Sequence, residues 1–166
     1  MKNHKILSSV VLCLLFLSAC NNNGDNNKNT SKKEDLYLGF KPPGLTPEPF
    51  APDIVSTDHL EVLGAISPNL DEFYFTRQIK GEASKNLGIR LENGSWKIVM
   101  EEPSIGEIFI STDNKTMFLG NKYRDRTSTG WSEEKSLGSP YDQIPIMRLT
   151  SSALGTYVFD ERDSIG

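Results

Sequence analysis

The chain has 166 residues, with 18 Lys and Arg against 22 Asp and Glu, which gives a formal net charge of −4. This length allows one ordinary domain. The weak acidity argues against nucleic-acid binding, which normally requires a basic surface. Two cysteines cannot form a disulfide scaffold, and no apolar run reaches the roughly 18 residues of a spanning helix.

The first predicted element is an export signal. Lys2 and Lys5 precede an almost wholly apolar stretch, residues 6–17 (ILSSVVLCLLFL). A positive start, a short apolar core and small residues at a cleavage position are typical of a secretory signal peptide. We therefore predict that residues 1–19 are a signal peptide.

The cleavage position, Leu17-Ser18-Ala19-Cys20, resembles the lipobox of bacterial lipoproteins. The resemblance implies cleavage just before Cys20, diacylation of its thiol and acylation of the new amine. More than one acyl chain gives stable membrane anchoring. The alternative is an ordinary signal peptide or an uncleaved anchor. Because Cys13 leaves with the signal and Cys20 is capped, we expect no disulfide.

Residues 20–34 are predicted to be a tether. After Cys20 they read NNNGDNNKNTSKKE, a polar low-complexity run that cannot bury apolar surface and is expected to be disordered. Loss of Lys2 and Lys5 leaves 16 basic against 22 acidic residues, a charge of −6. Since Asn21, and not Asp, follows the cysteine, the same resemblance implies the outer membrane's periplasmic face, in the cell envelope of a diderm host.

Residues 35–57 are predicted to be a Pro-rich extended arm. Five of the nine prolines of the chain fall between residues 36 and 55. Proline lacks the N–H that a central strand must donate, so the arm holds at most a short edge strand at residues 35–39.

From residue 58 onward the pattern predicts an antiparallel all-β fold. Apolar runs of three to five residues alternate with Gly, Pro, Asn and Asp clusters, and no convincing helical period occurs. The clearest hairpin turn is Asn93-Gly94, since a tight primed turn needs positive φ at both central positions.

Three windows of this part align without gaps: residues 65–75, 109–119 and 149–159, at spacings of 44 and 40 residues. The alignment places Ser67, Ser111 and Ser151 in register, and each window ends in an apolar triplet. Trp96 and Trp131 each fall near the start of a predicted outer strand. A four-stranded unit of this length is typical of a propeller blade, which must stack on its neighbours to cover both apolar faces.

Residues 67–75 (SPNLDEFYF) resemble the S-P-D-G-x-x-L-Y-F core of TolB-type, WD-repeat-like β-propellers. Residues 93–96 and 130–133 are similar to the G-x-W segments of periplasmic members. The family's turn Asp-Gly is replaced by Asn69-Leu70 in the first unit, and residues 121–130 leave little room for a full third strand in the second. The resemblance implies the fold and says almost nothing about activity.

The interpretation is a partial β-propeller of about two and a half four-stranded antiparallel blades, at residues 58–104, 105–141 and, incompletely, 142–166. Because closed propellers need at least about four blades, this length indicates a truncated propeller. A small self-contained β-domain is the competing interpretation.

No catalytic, cofactor-binding or metal-binding residue is predicted. His59 has no partner for a triad or a metal cluster after the signal is removed. The acidic pairs Glu101-Glu102 and Glu133-Glu134 do not form paired carboxylates, because adjacent residues on a strand point to opposite faces.

The remaining polar and aromatic candidates are also assigned structural roles. The three aligned serines have no histidine nearby and are expected to form turn hydrogen bonds. Asp113-Asn114, and Asp160 with Asp163, are oxygen-rich turns without the spacing of a calcium loop. Aromatic side chains are expected to pack between blades more than to line a binding surface; they are Tyr123, Trp131 and Tyr141.

Three functions remain open. The first is a membrane-anchored periplasmic lipoprotein whose repeats form a binding or scaffolding module for a protein or glycan, without enzymatic activity. The second is a hydrolase or lyase acting on glycans or peptides, with its site in missing blades. The third is a nonfunctional fragment of a longer protein.

Overall fold

The structure, a computed structural model, describes Leu38 and residues 44–162. The predicted signal peptide (1–19), the tether (20–34) and all but Leu38 of the predicted edge strand (35–39) lie outside the described residues. Within the described part there are ten β-strands and one short 3-10 turn, Tyr141–Gln143. The strands pair antiparallel throughout, so the prediction of an antiparallel all-β fold is confirmed.

The strands form three sheets, each with its strands in sequence order. The first sheet contains β1 (Leu60–Ile66), β2 (Glu72–Gln78), β3 (Lys85–Glu92) and β4 (Ser95–Pro103). The second contains β5 (Ile108–Ile110), β6 (Thr116–Leu119), β7 (Lys122–Asp125) and β8 (Lys135–Ser136). The third is a hairpin of β9 (Ile146–Ser151) and β10 (Tyr157–Glu161). The first strands of successive sheets contact each other: β1 contacts β5, and β5 contacts β9.

The hairpin predicted at Asn93-Gly94 is confirmed. These two residues join β3 to β4 and have φ values of 52° and 77°. Both central positions of a primed turn need positive φ, which Asn tolerates and Gly adopts freely.

A similar turn joins the first two strands of each sheet. In each turn, a serine carbonyl accepts the N–H of the residue three positions later, and that later residue has positive φ. The pairs are Ser67 with Leu70, Ser111 with Asn114, and Ser152 with Gly155. Each serine hydroxyl also accepts backbone N–H groups of its own turn, which is the expected role of a turn serine.

The third serine is Ser152, so the alignment of Ser151 with the other two serines is wrong by one position. Ser151 is the last residue of β9. The third turn is one residue shorter than the first. Its closing hydrogen bond runs from the N–H of Ser152 to the carbonyl of Thr156, four positions later. In the first turn the N–H of Ser67 bonds the carbonyl of Glu72, five positions on.

The sheets stack because their strands are apolar on both faces. In β6, Met117 and Leu119 belong to the core between the first and second sheets, whereas Phe118 belongs to the core between the second and third. In β2, Tyr74 packs toward the second sheet. Alternate residues of a strand point to opposite faces, so an uninterrupted apolar triplet requires cover on both sides.

The Pro-rich arm covers the other face of the first sheet. Ala51 and Val55 are buried against Phe75, and the indole Nε1 of Trp96 donates to the carbonyl of Leu38 at 3.0 Å. The described arm, residues 44–57, contains an isolated bridge between Pro52 and Ser56 but no strand. It therefore stays attached through side-chain packing more than through strand pairing.

Trp131 does not lead a fourth strand as predicted. It forms an isolated bridge with Arg126, and β8 begins only at Lys135. The physical reason is that the Trp131 side chain packs between the first and second sheets, where it contacts Tyr74. Trp96, by contrast, is the second residue of β4, in agreement with the prediction.

Phe118 and Val158 occupy equivalent middle positions of the triplets in β6 and β10, but Phe118 is 4% exposed and Val158 is 65% exposed. Phe118→Ala should lower the free energy of unfolding by about 3–5 kcal/mol, because it leaves a cavity between two sheets. Val158→Ala should change it by less than about 0.5 kcal/mol. Urea unfolding of both variants measures the difference, and equal losses would contradict the one-sided exposure of the third sheet.

Candidate functional site between the first and second sheets

The site is built around the carboxylate of Glu72, the first residue of β2. The turn hydroxyl of Ser67 accepts the Glu72 backbone N–H at 3.0 Å, which fixes the start of the strand. Two positions along, Tyr74 lies on the same face of the sheet, toward the second sheet. The Glu72 side chain is only 4% exposed, so its charge depends on partners inside the protein.

Two arginines from different sheets neutralise this carboxylate. Arg126, which follows β7, binds both oxygens of Glu72 at 3.0 and 2.7 Å. Arg90, on β3, donates through Nε to Glu72 Oε1 at 2.9 Å. Paired donors of this kind are the strong, geometrically specific form of ion pair. The Arg126 contact joins residues 54 positions apart and connects the second sheet to the first.

The position of Arg126 is fixed by further contacts. Its Nη2 donates to the side-chain oxygen of Asn114 at 2.7 Å, and its guanidinium carbon lies 3.7 Å from the centre of a Trp131 ring. A guanidinium over an indole is a favourable cation–π arrangement. The arginine is therefore held by the turn between β5 and β6 as well as by Glu72.

Tyr74 completes the cluster with two hydrogen bonds in series. Its hydroxyl donates to Glu72 Oε2 at 2.7 Å and accepts from the indole Nε1 of Trp131 at 2.9 Å. Its ring lies across Gly88 of β3, where a Cβ atom would come within 2.7 Å of the ring. A side chain larger than hydrogen at position 88 would displace the tyrosine.

These contacts set the proton affinities of the cluster. Burial alone would raise the pKa of Glu72, but hydrogen bonds from Arg126, Tyr74 and Arg90 and the charge of Arg126 outweigh burial and lower it. Burial, together with the hydrogen bond to Glu72, raises the pKa of Tyr74 well above its ordinary value. At neutral pH, Glu72 is therefore ionised and Tyr74 is neutral.

A second ion pair crosses between the same two sheets. Arg124 of β7 contacts both oxygens of Glu102, on β4, with nitrogen–oxygen distances of 3.0 Å, and it also contacts Glu134 at 3.2 Å. Burial would lower the pKa of Arg124, but these two carboxylates outweigh burial and raise it. The Nε of Arg124 is buried and has no hydrogen-bond partner among the described residues.

A groove of about 440 Å³ lies beside these pairs, between the two sheets. Its lining residues come from β2, β3, β4, β7 and the loop before β8. They are Tyr74, Arg90, Val99, Met100, Arg124, Thr129, Gly130 and Trp131. Small-molecule sites in proteins usually have volumes of about 300–1,000 Å³, so the groove has the size of a small ligand site.

The acidic pair Glu101-Glu102 points to opposite faces, as expected. Glu101 pairs with Lys85 of its own sheet, and Glu102 reaches across to Arg124. Asp113 has a turn role: its carboxylate accepts the Ser111 hydroxyl and the Lys115 N–H, and these hydrogen bonds lower its pKa.

Trp131 lines the groove as well as packing between the sheets, whereas Tyr123 and Tyr141 lie in the core between the second and third sheets. The backbone N–H of His59 donates a hydrogen bond to the side-chain hydroxyl of Thr57 at 3.2 Å. Asp163 lies outside the described residues.

Within residues 44–162, no three His, Cys, Asp or Glu side chains come together as a metal site. The same part of the chain contains no helix long and apolar enough to span a membrane.

Four charged residues of this site are not predicted from the sequence: Glu72, Arg90, Arg124 and Arg126. The sequence contains one signal for them: cations occur at every second position, at Lys122, Arg124 and Arg126. In a strand, this spacing places all three on one face. A second was the acid at position 72, two residues before a tyrosine in an apolar triplet. Neither signal identifies which cation meets which acid.

The fold and this junction define a class: an all-antiparallel β protein of stacked sheets, with buried ion pairs between the first two. Comparison with known proteins adds no narrower identity, since no family model, no curated protein and no solved structure matches the chain.

Glu72→Gln should lower the free energy of unfolding by about 3–5 kcal/mol near neutral pH, because it leaves buried guanidinium charge without its counter-ion. The folded-state pKa of Glu72 lies below the unfolded value of 4.5, so its contribution is fully present above that value. The contribution is lost as pH falls through the lower folded-state pKa.

Urea titrations of both proteins from about pH 7 down to about pH 3 should therefore show the stability difference shrinking toward acid. Glu101→Gln, at the exposed pair with Lys85, is the matched control and should show a much smaller change. A constant difference across the pH range would contradict the burial of an ionised Glu72.

Proposed function

We propose that the chain is a lipid-anchored protein of the bacterial cell envelope whose β-sheets, arranged as blades of a partial propeller, form a binding or scaffolding module. The lipobox-like segment Leu17-Ser18-Ala19-Cys20 supports the anchor, with Cys20 as the attachment residue. The TolB-type resemblance of residues 67–75 supports propeller blades, and so does the stacking of sequential antiparallel sheets through their first strands.

The repeated turn supports the blade arrangement independently. The same serine carbonyl bond and the same positive φ recur at Leu70, Asn114 and Gly155, so three sheets begin with one local structure. The exposed Val158 occupies the position where Tyr74 and Phe118 are covered by the next sheet. In the proposed module, this face of the third sheet is available for a further sheet.

The observation that carries the binding function is the state of the ionisable groups around the groove. General acid–base catalysis is most efficient with a group whose pKa lies near the working pH. Glu72 has a lowered pKa, Tyr74 has a raised one, and Arg124 stays charged. Groups fixed in one charge state suit recognition of a ligand better than transfer of a proton.

The proposal predicts that the full-length protein, solubilised in detergent, captures a specific protein or glycan from an envelope extract, and that excess untagged protein competes for the captured component. It also predicts no turnover of chromogenic glycosides or peptides. Failure to capture a competed component overturns the binding function. Turnover that Glu72→Gln or Glu102→Gln abolishes would establish an enzyme in its place.

The anchor is tested separately, in growing cells, by Cys20→Ser. The unaltered protein should incorporate labelled palmitate, whereas the variant should not. A variant that retains the label contradicts attachment at Cys20.

A further inference from the structure

The groove between the first and second sheets presents positive charge without a facing negative charge. Arg90 and Arg124 line it from opposite sheets, and no acidic residue is part of its lining. The carboxylates that fix these two arginines, Glu72 and Glu102, are not lining residues. The arginine side chains are therefore held in place while part of their surface faces the groove.

Arg90 has hydrogen-bonding capacity left for a ligand. It uses Nε and Nη2 on Glu72, so its Nη1 makes no hydrogen bond within the described part of the chain. Arg124 is 13% exposed and its Nη atoms contact Glu102 and Glu134, so it gives the groove its charge and not a free donor. A ligand oxygen can accept from Arg90 Nη1, and a hydrogen bond between charged groups is of the strong kind.

The rest of the lining suits an organic body. Val99 and Met100 give one apolar wall, and the indole of Trp131 gives a flat one. Since Arg126 covers one side of that indole, the aromatic wall is held rigidly. A ring or short aliphatic chain fits such a lining better than a bare inorganic ion does.

The charge balance sets the charge of the ligand. Four cations around the junction (Arg90, Lys122, Arg124 and Arg126) meet three glutamates (72, 102 and 134), which leaves one positive charge. One added negative charge would balance it, whereas a doubly charged phosphate would leave excess negative charge beside the carboxylates.

From these observations, and resting on the proposed binding function, we propose that the groove binds a small organic carboxylate. Arg90 Nη1 donates to the carboxylate, the charge of Arg124 stabilises it from the opposite sheet, and the body lies between Trp131 and the Val99–Met100 wall. The site therefore selects a monoanionic acid with a ring or short apolar chain.

The two tryptophans of the chain provide a direct readout. Trp131 lines the groove, and Trp96 lies in the core under the arm, so the two indole N–H resonances report on different places. We would titrate the full-length, detergent-solubilised protein, labelled with 15N-tryptophan, with phenylacetate and with its neutral counterpart phenylacetamide. Phenylacetate should shift the Trp131 resonance and leave that of Trp96 unchanged, with at least about tenfold tighter binding than phenylacetamide, because hydrogen bonds to a charged group are stronger.

Two neighbouring residues of β4 give a matched pair of variants. Val99 is 43% exposed and lines the groove, while Ile98 is 49% exposed and does not line it. Val99→Glu should weaken phenylacetate binding at least about tenfold by placing a like charge in the groove. Ile98→Glu, with the same added charge, should leave binding unchanged. Thr129→Glu, at an exposed groove position in the loop before β8, should act as Val99→Glu does, and a dispersed spectrum with a single Trp96 indole resonance verifies that each variant is folded.

The proposal is overturned if phenylacetate does not move the Trp131 resonance, if phenylacetamide binds equally well, or if Ile98→Glu weakens binding as much as Val99→Glu. If envelope capture succeeds while Trp131 does not respond, only the carboxylate site is wrong. If Trp131 responds but no envelope component is captured, the site stands and the scaffolding role is wrong.

Discussion

The buried carboxylate of Glu72 is the constraint on which the junction of the first two sheets depends. An ionised group with 4% of its side chain exposed is tolerated only when charged donors surround it. The first sheet supplies one of them, Arg90, and the second sheet must supply the other, Arg126. Separating the two sheets would break the charged hydrogen bonds of Arg126 to Glu72, which resists movement of one sheet against the other.

The stacking and the ion pairs have different roles in this fold. Apolar triplets such as residues 117–119 are covered on both faces, which supplies the general driving force for layering the sheets. Apolar packing alone would permit small rotations of one sheet against the next. The bidentate pair of Arg126 with Glu72 and the hydrogen bond from Arg124 Nη1 to Glu102 Oε2 fix one arrangement, since charged hydrogen bonds are directional.

The local features of this fold were predictable, because they are encoded within a few residues. The Asn93-Gly94 turn and the alternating burial of the apolar triplets follow from backbone preference and strand periodicity. The third turn was misaligned because Ser151 and Ser152 are adjacent and only the loop length distinguishes them. The Glu72–Arg126 pair could not be predicted, since its partners lie 54 residues apart and several acids and cations are compatible with the same strand pattern.

A double-mutant cycle between Glu72 and Arg126 measures how strongly this ion pair joins the two sheets. Glu72→Gln, Arg126→Met and the double variant would each be unfolded in urea near neutral pH. We expect the two losses of unfolding free energy not to be additive, with a coupling energy of at least about 2 kcal/mol, because each residue without the other leaves a buried charge. Losses that add within about 0.5 kcal/mol would contradict this expectation, since independent residues cannot hold the two sheets together.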